Sequence, residues 1–187
     1  MHQDNWSLKA KKMGYRSRAV FNLEEILIKL HKNQINKVLD LGSAPGGWSQ
    51  FIINKYPHSK IIAVDILHME PIDGVQFIKK NIEDIDSIQM INSQKGKFDL
   101  VISDIAPNIT GISAVDNEII YELNKITINL ANIYLSEANS AVVIKTFQNN
   151  NFKSLKKEME LFFKIVQTYK PAASKNKSAE TYLYGAR

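Results

Sequence analysis

The sequence predicts a doubly wound α/β domain with a largely parallel sheet, on three observations. Short apolar runs alternate with helical segments along the chain, a glycine-rich turn follows the first apolar run, and later runs close on acids at Asp65 and Asp104. Composition agrees: 187 residues with 44% hydrophobic and 23% charged content fit one globular domain over residues 1–187. A domain of this size buries roughly 70% of the surface its unfolded chain exposes, so it needs no staples.

Each element has its own warrant. Residues 18–30 place Ala19, Val20, Leu23, Ile26, Leu27 and Leu30 at helical spacing, with Glu24 and Glu25 toward the polar side, which predicts a leading helix. Residues 37–41 read as a short strand stopped by Gly42, and residues 46–56, with Trp48, Phe51, Ile52 and Ile53, as a helix ended by Pro57. Strands follow at 61–64, closing on Asp65, and at 75–78, then a polar helix over 85–91. An apolar strand at 98–103 ends in Asp104, and a long helix over 118–135 carries Ile119, Ile120, Leu123, Ile126, Leu130, Ile133 and Tyr134 in register. Residues 141–147 are a strand, 152–162 a lysine-studded helix, and 164–169 and 181–184 two late strands, the last antiparallel. No linker or repeat divides the chain, and residues 149–151 read as a surface turn. The apolar stretch at 141–144 is far below the roughly 20 residues of a membrane span, and residues 1–10 lack a run of signal-peptide length.

Charge and cysteine content narrow the chemistry. Lys and Arg total 24 against 19 Asp and Glu, a net charge of +5 that inclines the protein toward a polyanionic partner. The absence of cysteine excludes disulfides, thiolate-bound zinc or iron–sulfur clusters and a cysteine nucleophile.

The first strand-to-helix turn reads Asp40-Leu41-Gly42-Ser43-Ala44-Pro45-Gly46-Gly47-Trp48. In an open parallel sheet a ligand sits beyond the carboxyl ends of the strands, where small residues admit it and the next helix offers free N–H groups. The spacing G-x-x-x-G-G departs from the dinucleotide fingerprint G-x-G-x-x-G, and Pro45 removes a backbone donor where a pyrophosphate needs one. Asp65 ends the next strand about 20 residues on, where a carboxylate accepts both hydroxyls of a ribose. Alone, the turn is an ordinary strand-to-helix turn and Asp65 a solvated strand-end acid. Their order and separation favour a nucleoside cofactor, and S-adenosylmethionine suits the pair, its amino acid end on the glycine turn and its ribose on Asp65.

Two later strand ends hold ionisable residues in apolar surroundings: Ser103-Asp104-Ile105-Ala106-Pro107-Asn108 and Val143-Ile144-Lys145-Thr146-Phe147. A lysine within an apolar strand either snorkels to water or does chemistry. An acid at a neighbouring strand end can pair with it, which places both beside the ligand mouth.

At these strings the chain closely resembles the RrmJ/FtsJ (RlmE-like) family of S-adenosylmethionine-dependent RNA ribose 2′-O-methyltransferases, in the branch acting on large-subunit ribosomal RNA. The resemblance runs from about Trp6 to Arg187. Beyond the glycine turn and the two strand ends it rests on Tyr15-Arg16-Ser17-Arg18-Ala19, Met69-Glu70-Pro71-Ile72, Lys145-Thr146-Phe147-Gln148 and Lys170-Pro171-Ala172-Ala173-Ser174. It implies a Rossmann-like methyltransferase fold with a mostly parallel seven-stranded sheet, an antiparallel strand near the C-terminus and helices on both faces. For the cofactor it implies Gly42, Ser43, Pro45, Gly46, Gly47 and Trp48 on one side, with Asp65, Ile66, Asn81, Ile82 and Asp104 on the other.

It further implies a Lys-Asp-Lys-Glu catalytic tetrad, of which Asp104, Lys145 and Glu180 are present; Asn22 stands in the slot of the first lysine. Asn81 stands where the family has an aspartate toward the adenine, and an amide still accepts and donates there. A sulfonium methyl is already activated, so the enzyme must hold the 2′-hydroxyl in line with the S–CH₃ bond and manage one proton. Lys145 is the expected centre, as base or as an ammonium steering the oxygen lone pair, with Asp104 orienting it and Glu180 completing the network. Asn22 keeps hydrogen-bonding capacity without the charge, so the expectation is a slower enzyme, or a charge supplied by Lys9, Lys11 or Lys12.

Lys9, Lys11, Lys12, Arg16 and Arg18 crowd the start of the chain, with Trp6 and Tyr15 among them. As a bare charge run this is a solvated face. Beside a ribose methyltransferase motif it reads as an RNA-contacting segment over residues 1–18, cations on phosphates and aromatics on an unpaired base. Lys153, Lys156, Lys157, Lys175 and Lys177 extend that surface, while Phe152 and Leu155 belong to the core. His2, His31, His58 and His68 are dispersed, so no protein-bound metal is expected. The implied partner is ribosomal RNA within the large subunit, at an A-loop uridine, met by a monomer in a bacterial cytoplasm or a eukaryotic organelle. Related branches act on transfer RNA or messenger RNA caps. The rival from another class is a non-catalytic ribosome-assembly factor, motivated by Asn22 and Asn81; a nicotinamide oxidoreductase is opposed by the glycine spacing and Pro45.

Overall fold

The computed structural model describes residues 5–107, 110–174 and 178–187. Seven strands, β1 (Lys37–Leu41), β2 (Lys60–Asp65), β3 (Val75–Lys79), β4 (Leu100–Ser103), β5 (Ala141–Phe147), β6 (Ile165–Tyr169) and β7 (Glu180–Ala186), form one sheet in the order β3-β2-β1-β4-β5-β7-β6. The first five neighbours pair in parallel; β7 runs antiparallel to both β5 and β6 and is inserted between them. The expected doubly wound sheet with an antiparallel strand near the C-terminus is the one found. Chain order runs outward from β1 through β2 to β3, then returns to β4 on the other side of β1. The order therefore reverses between β1 and β4, where such sheets open a crevice for ligands.

Both faces are covered, which is why the central strands read as unbroken apolar runs instead of alternating ones. On one face α2 (Val20–Lys29) and α3 (Gly47–Lys55) bury Leu23, Ile26, Leu27, Phe51 and Ile52 against Val38, Ile102, Val143 and Tyr182. On the other, α5 (Ser113–Tyr134) and α6 (Phe152–Glu160) bury Ile128, Ala131, Tyr134, Leu155 and Met159 against Leu39, Val101, Val142 and Leu183. Each fully buried aliphatic side chain contributes roughly 1.5–3 kcal/mol, so these two layers fix the sheet on which the site is mounted.

Four elements differ from expectation. The basic start folds as helix α1 (Asn5–Lys12), whose only buried residue is Ala10; so little of it is apolar that periodicity does not reveal it. The polar helix of 85–91 is a 3-10 segment, Ile82–Ser87, followed by one helical turn, α4 (Gln89–Asn92). Helix α5 starts five residues early, and the Asp116 carboxylate in its first turn holds the chain ahead of it by accepting from Thr110 N–H and hydroxyl, both at 2.7 Å, and from Gly111 N–H at 3.1 Å. Phe98 precedes β4 and makes a single parallel bridge to Leu135 instead of joining the strand.

Candidate active site

A cavity of about 460 Å³ opens beyond the ends of β1, β2, β4 and β5, with Gly42, Asp65, Asn81, Ile105 and Lys145 among its walls. A tighter cleft leads from it beneath the glycine turn, between Ser17, Asp40, Ser43, Gly47, Trp48 and Asp104. Another cavity, about 530 Å³, lies at the opposite ends of the strands around Lys37, Lys60, Val75 and Phe98. It contains none of the strand-end acids or turn glycines and sits away from the switch point, so the chemistry belongs to the first.

The glycine turn is shaped by close approach. Gly42 has φ +72°, and a Cβ there would lie 2.1 Å from Ile105 Cγ1, so only glycine admits the β4 loop across the end of β1. Gly46 does not line either space. Its φ is +103°, and a Cβ would meet Ile72, Met69 and Arg16, so its need for glycine comes from the protein's own packing. Pro45 and Trp48 edge the cleft, and Trp48 Nε1 donates to the Ala19 carbonyl at 2.8 Å while its ring packs 5.9 Å from that of Tyr182.

Asp65 is buried at the end of β2 and accepts from Ala44 N–H through one oxygen and from Leu67 N–H through the other, each at 2.8 Å. Both oxygens keep a second lone pair for a ribose hydroxyl. Beyond it Ile66 and Leu67 stand 63% and 62% exposed, an apolar shelf suited to a flat base. Asn81 caps the 3-10 segment, its Oδ1 accepting from Glu83 N–H at 3.2 Å, and Ile82 is buried behind it.

The cleft holds two buried oxygens without partners, Ser43 Oγ and Asp40 Oδ1. Asp40 accepts from Ser49 Oγ at 2.6 Å through its other oxygen. Burial pushes its carboxyl up to about 7, with Asp104 and Asp65 adding to the rise and the Ser49 bond opposing it. An orphaned carboxylate oxygen and hydroxyl beside small residues fit the ammonium and carboxylate of an amino acid end, while the shelf and Asp65 fit a nucleoside. S-adenosylmethionine fits this donor set. Sequence reasoning gave Asp40 no role of its own; the signal was a carboxyl inside the apolar run Val38-Leu39-Asp40-Leu41.

Lys145 emerges from β5 into the cavity with its side chain 8% exposed. Its Nζ forms an ion pair with Asp104 Oδ1 at 2.9 Å and donates a directed hydrogen bond to the Asp104 carbonyl at 2.6 Å. Burial raises the Asp104 carboxyl, and Lys145 opposes that rise. Tyr182, opposite Lys145 across β5 and β7, accepts from Asn22 Nδ2 at 2.7 Å and reaches Glu180 Oε1 at 3.4 Å. Ser174 Oγ donates to the same Glu180 oxygen at 3.0 Å. The structure thus joins Asp104 to Lys145, and Glu180 to Asn22 through Tyr182. Neither Tyr182 nor Ser174 was singled out by sequence, because both look like core and loop residues until β7 is placed between β5 and β6.

The basic segment makes contacts of its own with the body of the fold. Trp6 and Tyr15 pack on Phe21 at ring separations of 5.2 and 6.3 Å, and both rings are half-buried. Lys9 Nζ lies 4.6 Å from the Phe21 ring centre and 5.1 Å from that of Trp6. Lys11 and Lys12 are exposed on α1. Arg18 donates to the Ala173 carbonyl at 3.4 Å, and the Arg16 guanidinium donates to three backbone carbonyls. Helix α6 packs on the face opposite α1 and α2, so Lys153, Lys156 and Lys157 form a separate surface; Phe152 and Leu155 join the core as expected. Lys175, Lys177, His2 and Asn108 lie outside the described residues. Among the described residues no group of three His, Asp or Glu could hold a metal, and no helix is long and apolar enough to cross a membrane.

The fold and the site together define a Rossmann-like, S-adenosylmethionine-dependent methyltransferase. A model of the FtsJ-like methyltransferase family matches residues 15–187, and the chain belongs to that family. It is 39% identical over 187 residues to the ribosomal RNA large subunit methyltransferase E of Wigglesworthia glossinidia brevipalpis, covering 97% of this chain and 90% of that protein. The enzyme of the same name from Dechloromonas aromatica is 36% identical, with the same coverage. A solved ribosomal RNA methyltransferase from Plasmodium falciparum superposes with a TM-score of 0.78 at 28% identity, over 92% of this chain and 98% of that one.

Proposed function

We propose that this protein methylates a ribose 2′-hydroxyl of large-subunit ribosomal RNA, at an A-loop uridine, acting as a single-domain monomer in the cytoplasm. The relatives from Wigglesworthia and Dechloromonas, named for large-subunit ribosomal RNA, support the substrate and the bacterial compartment. One observation carries the chemistry: a buried lysine, Lys145, ion-paired to Asp104 at 2.9 Å in the wall of a cavity that also holds Asp65.

S-adenosylmethionine supplies a methyl group already activated on a sulfonium. Asp65, Asn81 and the Ile66–Leu67 shelf hold its nucleoside, and Asp40 and Ser43 its amino acid end. Lys145 holds the 2′-oxygen with a lone pair directed at the methyl carbon, Asp104 fixes the lysine through two contacts, and the hydroxyl proton passes to water as the oxygen takes the methyl group and the thioether leaves. Glu180, held by Ser174 and Tyr182, closes the ribose side of the site. Lys11 and Lys12, with Lys9 braced on its aromatics, contact phosphates without reading sequence.

The test is to incubate the protein with labelled S-adenosylmethionine and either assembled large subunits or naked RNA, then map the modified nucleotide. Label on one A-loop 2′-oxygen is expected. RNA binding with no transfer would instead support the non-catalytic assembly factor, which the uncharged Asn22 favours.

A further inference from the structure

Arg16 ties together the two segments that leave the strand ends at the cofactor cavity, the glycine turn after β1 and the loop after β2. The guanidinium donates to the Pro45 carbonyl at 3.2 Å, on the glycine turn after β1. It also donates to the Glu70 carbonyl at 2.6 Å and the Pro71 carbonyl at 2.7 Å, on the segment after β2. Its own backbone N–H donates to Gln50 Oε1 at 3.0 Å, and Gln50 Nε2 returns a bond to the Gly14 carbonyl at 2.9 Å. Gly46 makes room for it: a Cβ there would lie 3.1 Å from Arg16 Nη1. The glycine turn brings Gly42 and Ser43 to the cavity and its cleft, the loop after β2 brings Ile66 and Leu67 beside Asp65, and Arg16 bridges the two segments just beyond these residues. A planar guanidinium with a fork of donors can span several carbonyls at once; a single ammonium cannot.

We propose that Arg16 is a positioning residue for the methyl donor, holding the two segments at the spacing the cofactor needs, and is not a phosphate contact. The proposal rests on reading the cavity as the cofactor pocket. Arg16→Lys separates the roles, since it keeps the charge a phosphate would use and loses the three-carbonyl bridge; Arg16→Ala accompanies it. Calorimetric titration with S-adenosylhomocysteine is expected to show affinity falling roughly tenfold in both variants, the effect of losing one or two charge-assisted hydrogen bonds. The KM for S-adenosylmethionine rises while kcat at saturation is retained. Binding of a labelled RNA hairpin without cofactor keeps the wild-type slope against salt. The idea fails if folded Arg16→Lys binds S-adenosylhomocysteine as tightly as wild type, or if Arg16→Ala lowers the salt slope by about 0.7–0.9, one phosphate contact. The first result, with wild type binding normally, overturns this proposal alone. A wild type that binds no S-adenosylhomocysteine overturns the methyltransferase reading with it. Thermal melts confirm that each variant is folded, and Arg16→Lys, which keeps the aliphatic stem, carries the test if Arg16→Ala is not.

Discussion

Asn22 donates its side-chain amide to the Tyr182 hydroxyl at 2.7 Å. The bond fixes the direction of the chain beyond it, because an oxygen that accepts from Asn22 is free to donate its own proton toward Glu180. Burial, with Asp104 and Glu180 nearby, holds the Tyr182 phenol well above its ordinary range, so it stays neutral. A charge-neutral relay therefore stands where the family resemblance leads one to expect a cation.

Restoring that cation gives the first prediction. Asn22 is only 5% exposed and its Oδ1 has no partner, so the position already carries an unmet polar group. Asn22→Lys places an ammonium near Tyr182 and Glu180, and methyl transfer should rise by about tenfold, the effect of roughly 1.4 kcal/mol of added transition-state stabilisation. Single-turnover transfer from labelled S-adenosylmethionine measures it. An unchanged rate would show that the relay suffices.

Lys145 is tested by removing its nitrogen while keeping its bulk. Lys145→Met leaves Asp104 without its counter-charge and the 2′-oxygen without a director, and the transfer rate should fall by about 10²–10⁴. Affinity for S-adenosylhomocysteine should stay within about threefold, since transition-state and ground-state contacts separate in this way. A loss of cofactor binding with the rate at saturation preserved would place Lys145 in the cofactor site instead.

The fold was legible from residue patterns because both faces of the sheet are covered, so every central strand announced itself as an apolar run, and Leu41, Asp65 and Ser103 end theirs at turn or acid signals. Helix α1 was not legible, since Ala10 alone of its residues is buried, and neither was the start of α5, whose first turn is tied to Thr110 through Asp116 and shows no apolar stripe. In the site, Asp104, Lys145 and Asp65 stood out as charges in apolar strands. The carbonyl contacts of Arg16 were hidden for the opposite reason: a cation in a basic run looks like a phosphate ligand, and only tertiary structure brings Pro45, Glu70 and Pro71 to it. Tyr182 could not be recognised before β7 was known to lie beside β5.

Asp65 holds the glycine turn through Ala44 N–H and is proposed to hold the cofactor's ribose, so its loss should register twice. Asp65→Ala removes two hydrogen bonds to backbone N–H groups, each worth roughly 1 kcal/mol, and the unfolding midpoint should drop along with at least about tenfold of S-adenosylhomocysteine affinity. Asp65→Asn should cost nearly as much, because an amide presents one oxygen where two are needed and turns its NH₂ on either the Ala44 or the Leu67 N–H. Differential scanning calorimetry and binding titration of both variants measure this. Full affinity in Asp65→Asn would show that one acceptor is enough.

Asp40 predicts how stability and cofactor binding depend on pH. Its folded carboxyl is pushed up to about 7, well above the ordinary carboxylate range, by burial first. The folded state therefore keeps a proton that the unfolded chain releases between about pH 4 and 7, so stability falls as pH rises through that window and levels off above it. Asp40→Asn does not titrate. The stability of wild type relative to the variant should decline across the window, by no more than about 4 kcal/mol, as read by urea unfolding from about pH 5 to 8. The same carboxyl lines the cleft with Oδ1 unpaired, where an ammonium favours its ionised form. Binding of S-adenosylhomocysteine below about pH 7 should then release a proton, detected by titration calorimetry in buffers of different ionisation enthalpy, and the release should vanish in Asp40→Asn. A wild-type difference curve flat from about pH 5 to 8 would mean that Asp40 is ionised throughout, held by a donor at Oδ1 such as bound water.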